Sequence, residues 1–348
     1  MNSNYYFLAA IGIFLALILT AGFTFLPGER FQFIASVPSG KRKKDYSSGK
    51  NLTWYGLITA FSVTASSALF CTLASSYGFA LKTCLLFIGS ILLIALPASK
   101  IIAFIVEKRK GTITVGGAAF AAIAVSPAAA YLALKLSADG NSESIMPLLA
   151  AIGCSYLIGE GIGRLSCLSF GCCYGKPLKK YNGFIRKILS PFAVRFYGKL
   201  KKASYESGYE AKKLFPIQNI TAVIYSASAV FSAWLFFTGE FRISFLFSII
   251  TAFAWRIISE FFRADFRGTG KISAYQIMSF LSIAICIAAA YFLPSPGIIF
   301  INAMDGLQIF SNVLFVIILQ FLFVAVFLFT GISSVTASKI YFFRKNKN

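Results

Sequence analysis

No histidine occurs among the 348 residues. That removes the commonest general base and the commonest metal ligand at one stroke. Charge is scarce as well. Charged residues make up 13% of the chain, about half the share a water-soluble domain carries. Acidic residues are the scarcer sign, 12 against 33 Lys and Arg, for a net charge of +21. So few charges cannot cover a water-facing surface. A soluble globular, a disordered and a collagen-like chain are therefore excluded. Seven cysteines, Cys71, Cys84, Cys154, Cys167, Cys172, Cys173 and Cys286, lie mostly in apolar runs and form no disulfide framework.

What the sequence has is apolar length. Hydrophobic residues reach 57% and mean hydropathy is +0.75. A spanning helix needs about 20 apolar residues, and nine stretches qualify: roughly 5–27, 53–77, 80–106, 112–136, 145–165, 217–238, 242–263, 273–294 and 307–334. The first lacks a basic leader and a small-residue cleavage site, so it reads as a retained helix. The expectation is an all-α, polytopic integral membrane bundle of about nine helices. A small surface head fills 176–215.

The Lys and Arg residues sit between the spans, so anionic phospholipid headgroups are the expected partner and nucleic acid is not. Nearly all fall on the side that holds the 28–52 loop. The opposite side receives only Lys82, Lys135 and Arg242. The positive-inside rule makes the rich side cytoplasmic. The basic runs 41–44, 108–110, 199–202 and 344–347 read as topology anchors.

One stretch, GEGIGRLSCLSFGCCYGKP from Gly159 to Pro177, concentrates the chemistry. Gly159 and Gly163 are four apart, a spacing that admits a close helix neighbour. Glu160 and Arg164 share that spacing and pair on one helix face. Ionisable groups at membrane depth mark function, and a guanidinium matches phosphate with two parallel donors. A salt-bridged helix end with packing glycines is the equally weighted structural reading. Cys172-Cys173 allows two readings: a thiolate nucleophile stabilised by Arg164 or Lys176, or two small residues packed under a glycine-flanked turn, which is favoured. A vicinal disulfide would be strained. No metal is expected, because four ligands with usable spacing are absent.

The order of motifs resembles the prolipoprotein diacylglyceryl transferase family. Gly163-Arg164 and Tyr174-Gly175 fit the ends of its signature. Trp54-Tyr55-Gly56-Leu57 is similar to its first-helix motif with an essential Tyr. Gly111 to Gly117 looks like the segment ending in paired glycines, Gly116-Gly117. Phe215-Pro216-Ile217-Gln218 resembles its Pro-x-Gln stretch, and Arg256, Glu260 and Arg263 match Arg-x3-Glu-x2-Arg. The resemblance covers about 52–294 and implies a seven-helix transferase core there. Segments 1–51 and 295–348 then carry an extra helix each, with a basic loop and a basic tail.

The resemblance further implies a reaction. Diacylglyceryl moves from phosphatidylglycerol to the cysteine thiol of a prolipoprotein, without a cofactor, in the bacterial cytoplasmic (inner) membrane. Arg164, Arg256, Tyr55 and Glu260 become the catalytic candidates, and the residues themselves add Cys172 as the candidate nucleophile. Arg164 and Arg256 would hold the phosphate, with Glu260 orienting Arg256 or Arg263. Arg263, Gly175, Gly116, Gly117 and Gln218 complete the substrate contacts.

The chain departs from the family pattern where a thiol-activating base would stand. Val115 replaces the usual His, Cys167 and Cys172 the usual Asn and Glu, and Ile220-Thr221 the usual Tyr-Glu. Two rival readings follow: a non-lipoprotein phospholipid-modifying enzyme at the inner leaflet, and a non-catalytic lipid-binding or transport protein. The family acts at the outer face of the membrane, whereas the charge bias puts all five motifs inside. The charge rule predicts that a reporter fused after Asn348 is active in the cytoplasm. Activity only outside would overturn that assignment and place the motifs at the outer leaflet.

Overall fold

The computed structural model describes residues 2–39, 46–107, 114–139, 142–265, 272–333 and 340–343. The basic runs 41–44, 108–110 and 344–347, and the start of the 111–117 motif, lie outside the described residues. The helices are α1 (Asn2–Phe25), α2 (Trp54–Tyr77), α3 (Leu81–Glu107), α4 (Val115–Ser137), α5 (Ile145–Phe170), α6 (Gly183–Leu189), α7 (Lys202–Ser207), α8 (Ile217–Phe237), α9 (Phe241–Glu260), α10 (Ala274–Phe292), α11 (Ala303–Leu307) and α12 (Val313–Gly331). Among the described residues nine of these are long and apolar enough to cross a membrane, as expected. Large apolar side chains such as Leu93, Ile105, Phe321 and Phe329 cover the outside, which is the surface a helix presents to lipid.

α5 is the centre. It is buried on all sides and touches α1, α2, α4, α8 and α9, whereas α12 buries only Phe315 and Gly331. Helices in lipid gain little from apolar burial against each other, so close packing and interhelical hydrogen bonds hold them. The α2–α5 seam does this with small residues. Ser62 donates to the Gly159 carbonyl (2.6 Å), Ser66 to the Ser155 carbonyl (2.7 Å), and Thr59 to the Ser166 hydroxyl (3.0 Å). On the α8 side, Tyr225 donates to the Ala252 carbonyl of α9 (2.8 Å).

The fifth span runs five residues further than its apolar stretch suggests, to Phe170, and Gly171 ends it in the left-handed region at φ 70°. The last span starts later than expected. The Asn312 side chain accepts from the Leu314 and Phe315 amides and opens α12 there, after the short α11.

The 28–52 loop is not plain loop. It holds β1 (Phe33–Pro38) and β2 (Tyr46–Thr53), paired antiparallel. Two strands from the far end of the chain, β3 (Ile332–Ser333) and β4 (Ile340–Phe343), pair with β2 as well. Two of the partners of β2, β3 and β4, are remote in sequence, so no local hairpin signal announces the full sheet. Thr53 joins the sheet to the bundle. Its hydroxyl accepts from the Gly56 amide at the start of α2 and donates to the Gly331 carbonyl at the end of α12.

The segment between α5 and α8 folds into the expected head. Tyr174, Phe196, Ala203 and Leu214 pack there against Leu19 and Leu26 of the α1 end and Leu165 and Leu168 of α5. Lys201, within the basic run 199–202 that reads as a topology anchor, is not a surface cation. It is fully buried, and its ammonium donates to the carbonyls of Leu26 (2.9 Å) and Ser169 (2.6 Å). Burial lowers its pKa to about 8, against the opposing pull of Glu29.

At Gly56 a Cβ would overlap the Gly331 backbone, so α2 and α12 meet there through bare backbone. Gly56→Ala is expected to cost about 1–3 kcal/mol, the usual penalty of overpacking, read as a lower Tm in detergent. Gly12→Ala, where a Cβ meets nothing within 4 Å, is the control expected to leave Tm unchanged.

Candidate active site

The rich ends of the spans close around one cavity of about 870 Å³. It takes residues from the starts of α2, α4, α8 and α10 and from the ends of α5, α9 and α12. Deeper in, Phe70, Ile88, Ile91 and Ile152 line it, so the space is polar at one end and apolar at the other. The α3–α4 hairpin walls one side. α3 packs chiefly on α4 and scarcely on α2.

At the polar end a carboxylate sits between two guanidiniums. Glu160 forms a short ion pair with Arg164 one turn on, and its other oxygen lies 3.3 Å from Arg256 Nη2. Arg256 reaches from α9, donates to the Tyr156 hydroxyl (3.0 Å), and its guanidinium lies 5.9 Å from the Phe253 ring centroid. Tyr156, Glu160 and Arg164 recur every fourth residue, so one face of α5 carries all three. Glu160 is buried and the two arginines largely so, with side-chain exposures of 14%, 8% and 12% for Arg164, Glu160 and Arg256, the ion-paired trio. The trio carries one net positive charge. The Nε atoms of both arginines are buried without a hydrogen-bond partner, and donors left open in this way call for an explanation.

A second cluster stands beside it. Arg263 is held by Asp265 through two hydrogen bonds, 2.9 and 2.7 Å, and by Glu260 at 3.4 Å. Its backbone bridges to Gly175. The strip around Gly175 is clamped on both edges: Lys176 donates to the Phe262 carbonyl (2.9 Å), and Phe215 donates to the Lys176 carbonyl (2.9 Å). A Cβ at Gly175 would strike the Phe215 carbonyl, which is why a glycine stands there.

The remaining expected residues sort clearly. Tyr55 lines the cavity edge-on to Phe170, ring centroids 5.9 Å apart. Gly116 lines it too, where a Cβ would lie 2.6 Å from the Tyr275 ring and 3.2 Å from Arg256 Nη1. Gln218 lines it and donates to the Cys172 carbonyl (2.9 Å). Cys172, Arg164, Arg256, Glu260 and Arg263 are all in the lining. Gly175 and Gly117 are not: Gly117 faces Ile102 of α3.

Sequence reasoning noticed Glu160 only as a partner of Arg164 and passed over Tyr156 entirely. Their four-residue spacing on a helix otherwise poor in polar groups was the available signal. Asp265, Tyr225 and Tyr275 also line the cavity, brought in by tertiary packing. Val115, which stands where a His would, lines it as well. The Cys172 thiol is held well above its ordinary pKa by the Cys167 and Cys173 thiols and by burial, so an unaided thiolate there is disfavoured.

The family model described as prolipoprotein diacylglyceryl transferase matches residues 47–293. A protein of Clostridium tetani (strain Massachusetts / E88) named phosphatidylglycerol--prolipoprotein diacylglyceryl transferase is 29% identical over 157 residues. That stretch is 44% of this chain and 56% of the relative, so the chain spans about half the length of the curated protein it matches.

Removing the central carboxylate leaves two buried guanidiniums without a counter-ion. Glu160→Gln is expected to lower stability by about 3–5 kcal/mol, the range for breaking a buried pair. Glu206→Gln, which breaks the half-exposed Lys202–Glu206 pair, should change it by less than about 1 kcal/mol. Thermal unfolding of both variants in detergent checks the contrast.

Proposed function

The chain belongs to the prolipoprotein diacylglyceryl transferase family, and from that premise we propose that it is a membrane transferase moving diacylglyceryl from phosphatidylglycerol to a cysteine thiol. The observation that carries this reading is the Arg164–Glu160–Arg256 trio at the polar end of a cavity whose far end is apolar. A phospholipid has the same two-ended chemistry. Its phosphate suits the open guanidinium donors of a trio that itself carries one net positive charge, and its acyl chains suit the apolar end.

In the proposed reaction the acceptor sulfur attacks the glyceryl carbon next to the phosphate. The C–O bond to phosphate breaks, a thioether forms, and glycerol phosphate leaves, with the thiol's proton passing through water to it. Negative charge gathers on the departing phosphate oxygen, and Arg164 and Arg256 are placed to stabilise it more than they stabilise the intact diester. Glu160 holds both guanidiniums in one orientation, so they need no reorganisation as that charge develops. Tyr55 borders the same space. Glu260 serves Arg263 rather than Arg256. A prolipoprotein is the proposed acceptor, after the name of the Clostridium tetani relative, and a bacterial cytoplasmic membrane the proposed location. A second reading, a phospholipid-modifying enzyme of the inner leaflet with another acceptor, is favoured by the concentration of basic residues on the cavity side.

Arg164→Ala tests the proposal. In proteoliposomes of phosphatidylglycerol with a signal-peptide cysteine as acceptor, thioether formation is expected to fall about 100- to 1000-fold, the usual effect of losing one such electrostatic group. The variant should still elute as a folded protein. Undiminished transfer would sink the reading.

A further inference from the structure

Three cysteines meet beside the arginine trio, and neither the family pattern nor the relative's name accounts for them. Cys167 lies in the last turn of α5. Gly171 reverses the chain at φ 70°, and the Cys172 amide then donates back to the Cys167 carbonyl (3.1 Å). Cys173 follows at φ 54°, a left-handed conformation that costs a non-glycine residue on the order of 1 kcal/mol or more and clusters at functional sites. Gln218 secures the turn through the Cys172 carbonyl. All three sulfurs lie within 4.8 Å of one another, with Cys167 and Cys173 3.8 Å apart. All three line the cavity with Arg164 and Arg263.

We propose that Cys167, Cys172 and Cys173 form a three-thiolate site for zinc whose fourth position, open to the cavity, takes the acceptor thiol. The fourth-position assignment rests on the transferase reading above; the metal site does not. A tetrahedral zinc with Zn–S bonds of about 2.3 Å sets its sulfurs about 3.8 Å apart. The Cys167–Cys173 pair already has that separation, and the other two edges need to close by about 1 Å at most. Four protein ligands make a closed structural site, whereas three leave a position for substrate. The spacing Cys-x4-Cys-Cys supplies three. Three thiolates on a divalent cation leave one net negative charge, in a lining shared with Arg164 and Arg263. The chain has no histidine, so soft sulfur ligands select a thiophilic metal here.

The site would supply what the rest of the cavity lacks, a means of activating a thiol. A thiol that coordinates zinc gives up its proton, which passes to water. The bound sulfur keeps its lone pair and remains a nucleophile. That pair forms the new C–S bond at the glyceryl carbon. The C–O electron pair leaves with glycerol phosphate, which takes up a proton. No electron changes hands, because zinc is redox-inert.

The test uses the full-length chain in detergent, with zinc content by elemental analysis and cobalt(II) titration followed by the thiolate-to-cobalt absorption band. The expected result is one equivalent of metal in the wild type. Affinity should be weaker by at least about tenfold in each of Cys167→Ser, Cys172→Ser and Cys173→Ser, with unchanged elution. A cysteine peptide added to the cobalt form should shift the band, and an unshifted band overturns the fourth-position assignment. Equal trace metal in the wild type and in the variants overturns the site. Transfer assays with and without a zinc chelator separate the two proposals. Transfer that survives both the chelator and the cysteine variants overturns the fourth-position assignment and leaves the transferase reading. Stoichiometric zinc with no transfer from phosphatidylglycerol overturns the transferase reading and leaves the site.

Discussion

A single carboxylate carries the architecture of the cavity. Two arginines buried at the end of a membrane bundle repel each other and pay heavily for lost hydration. Glu160 lies between them and makes both tolerable. Because Arg164 is on α5 and Arg256 on α9, the same carboxylate also ties the central helix to the wall of the cavity. The two ion pairs leave one guanidinium charge unbalanced. The contact that holds the two helices together is therefore also the one that leaves an unbalanced guanidinium charge and two open Nε donors beside the cavity.

Everything around the trio keeps its distances. The small-residue seam between α2 and α5 brings two backbones close enough for serine hydroxyls to reach carbonyls, which fixes the rotation of α5. That rotation aims Tyr156, Glu160 and Arg164 into one space. The head contributes from the other side. Its strip around Gly175 is threaded between the end of α9 and Phe215, and this places Arg263 and the three cysteines at the rim. The buried Lys201 ammonium fastens the head to the ends of α1 and α5 through two carbonyls.

The bundle was legible in the sequence because lipid permits few solutions: a run of about 20 apolar residues must be a helix, and all nine runs are. Boundaries were less legible where polar atoms set them. Asn312 starts α12 inside an apolar run by capping two amides, and Gly171 ends α5 after a polar one. The arginines were legible because charge is rare in this chain, so each charge near a span stands out. Tyr156 was not, since a tyrosine in an apolar helix looks like packing until its hydroxyl meets Arg256. The sheet was not either. β2 pairs with strands from both ends of the chain, and alternation within one strand says nothing of partners that distant.

The pairing of β2 with β3 and β4 bears on the order of biosynthesis. Thr53 and Gly331 are 278 positions apart, and the β4 partner of Ser47 is Phe342. A ribosome completes all the spanning helices before it releases the strands that β2 awaits. Contacts of such sequence separation are the slowest to form. During translation β2 has only β1 beside it, and the far edge of the sheet stays open. The nine described spanning helices are therefore synthesised before β2 meets β3 and β4, and the completed sheet records that α12 has been made.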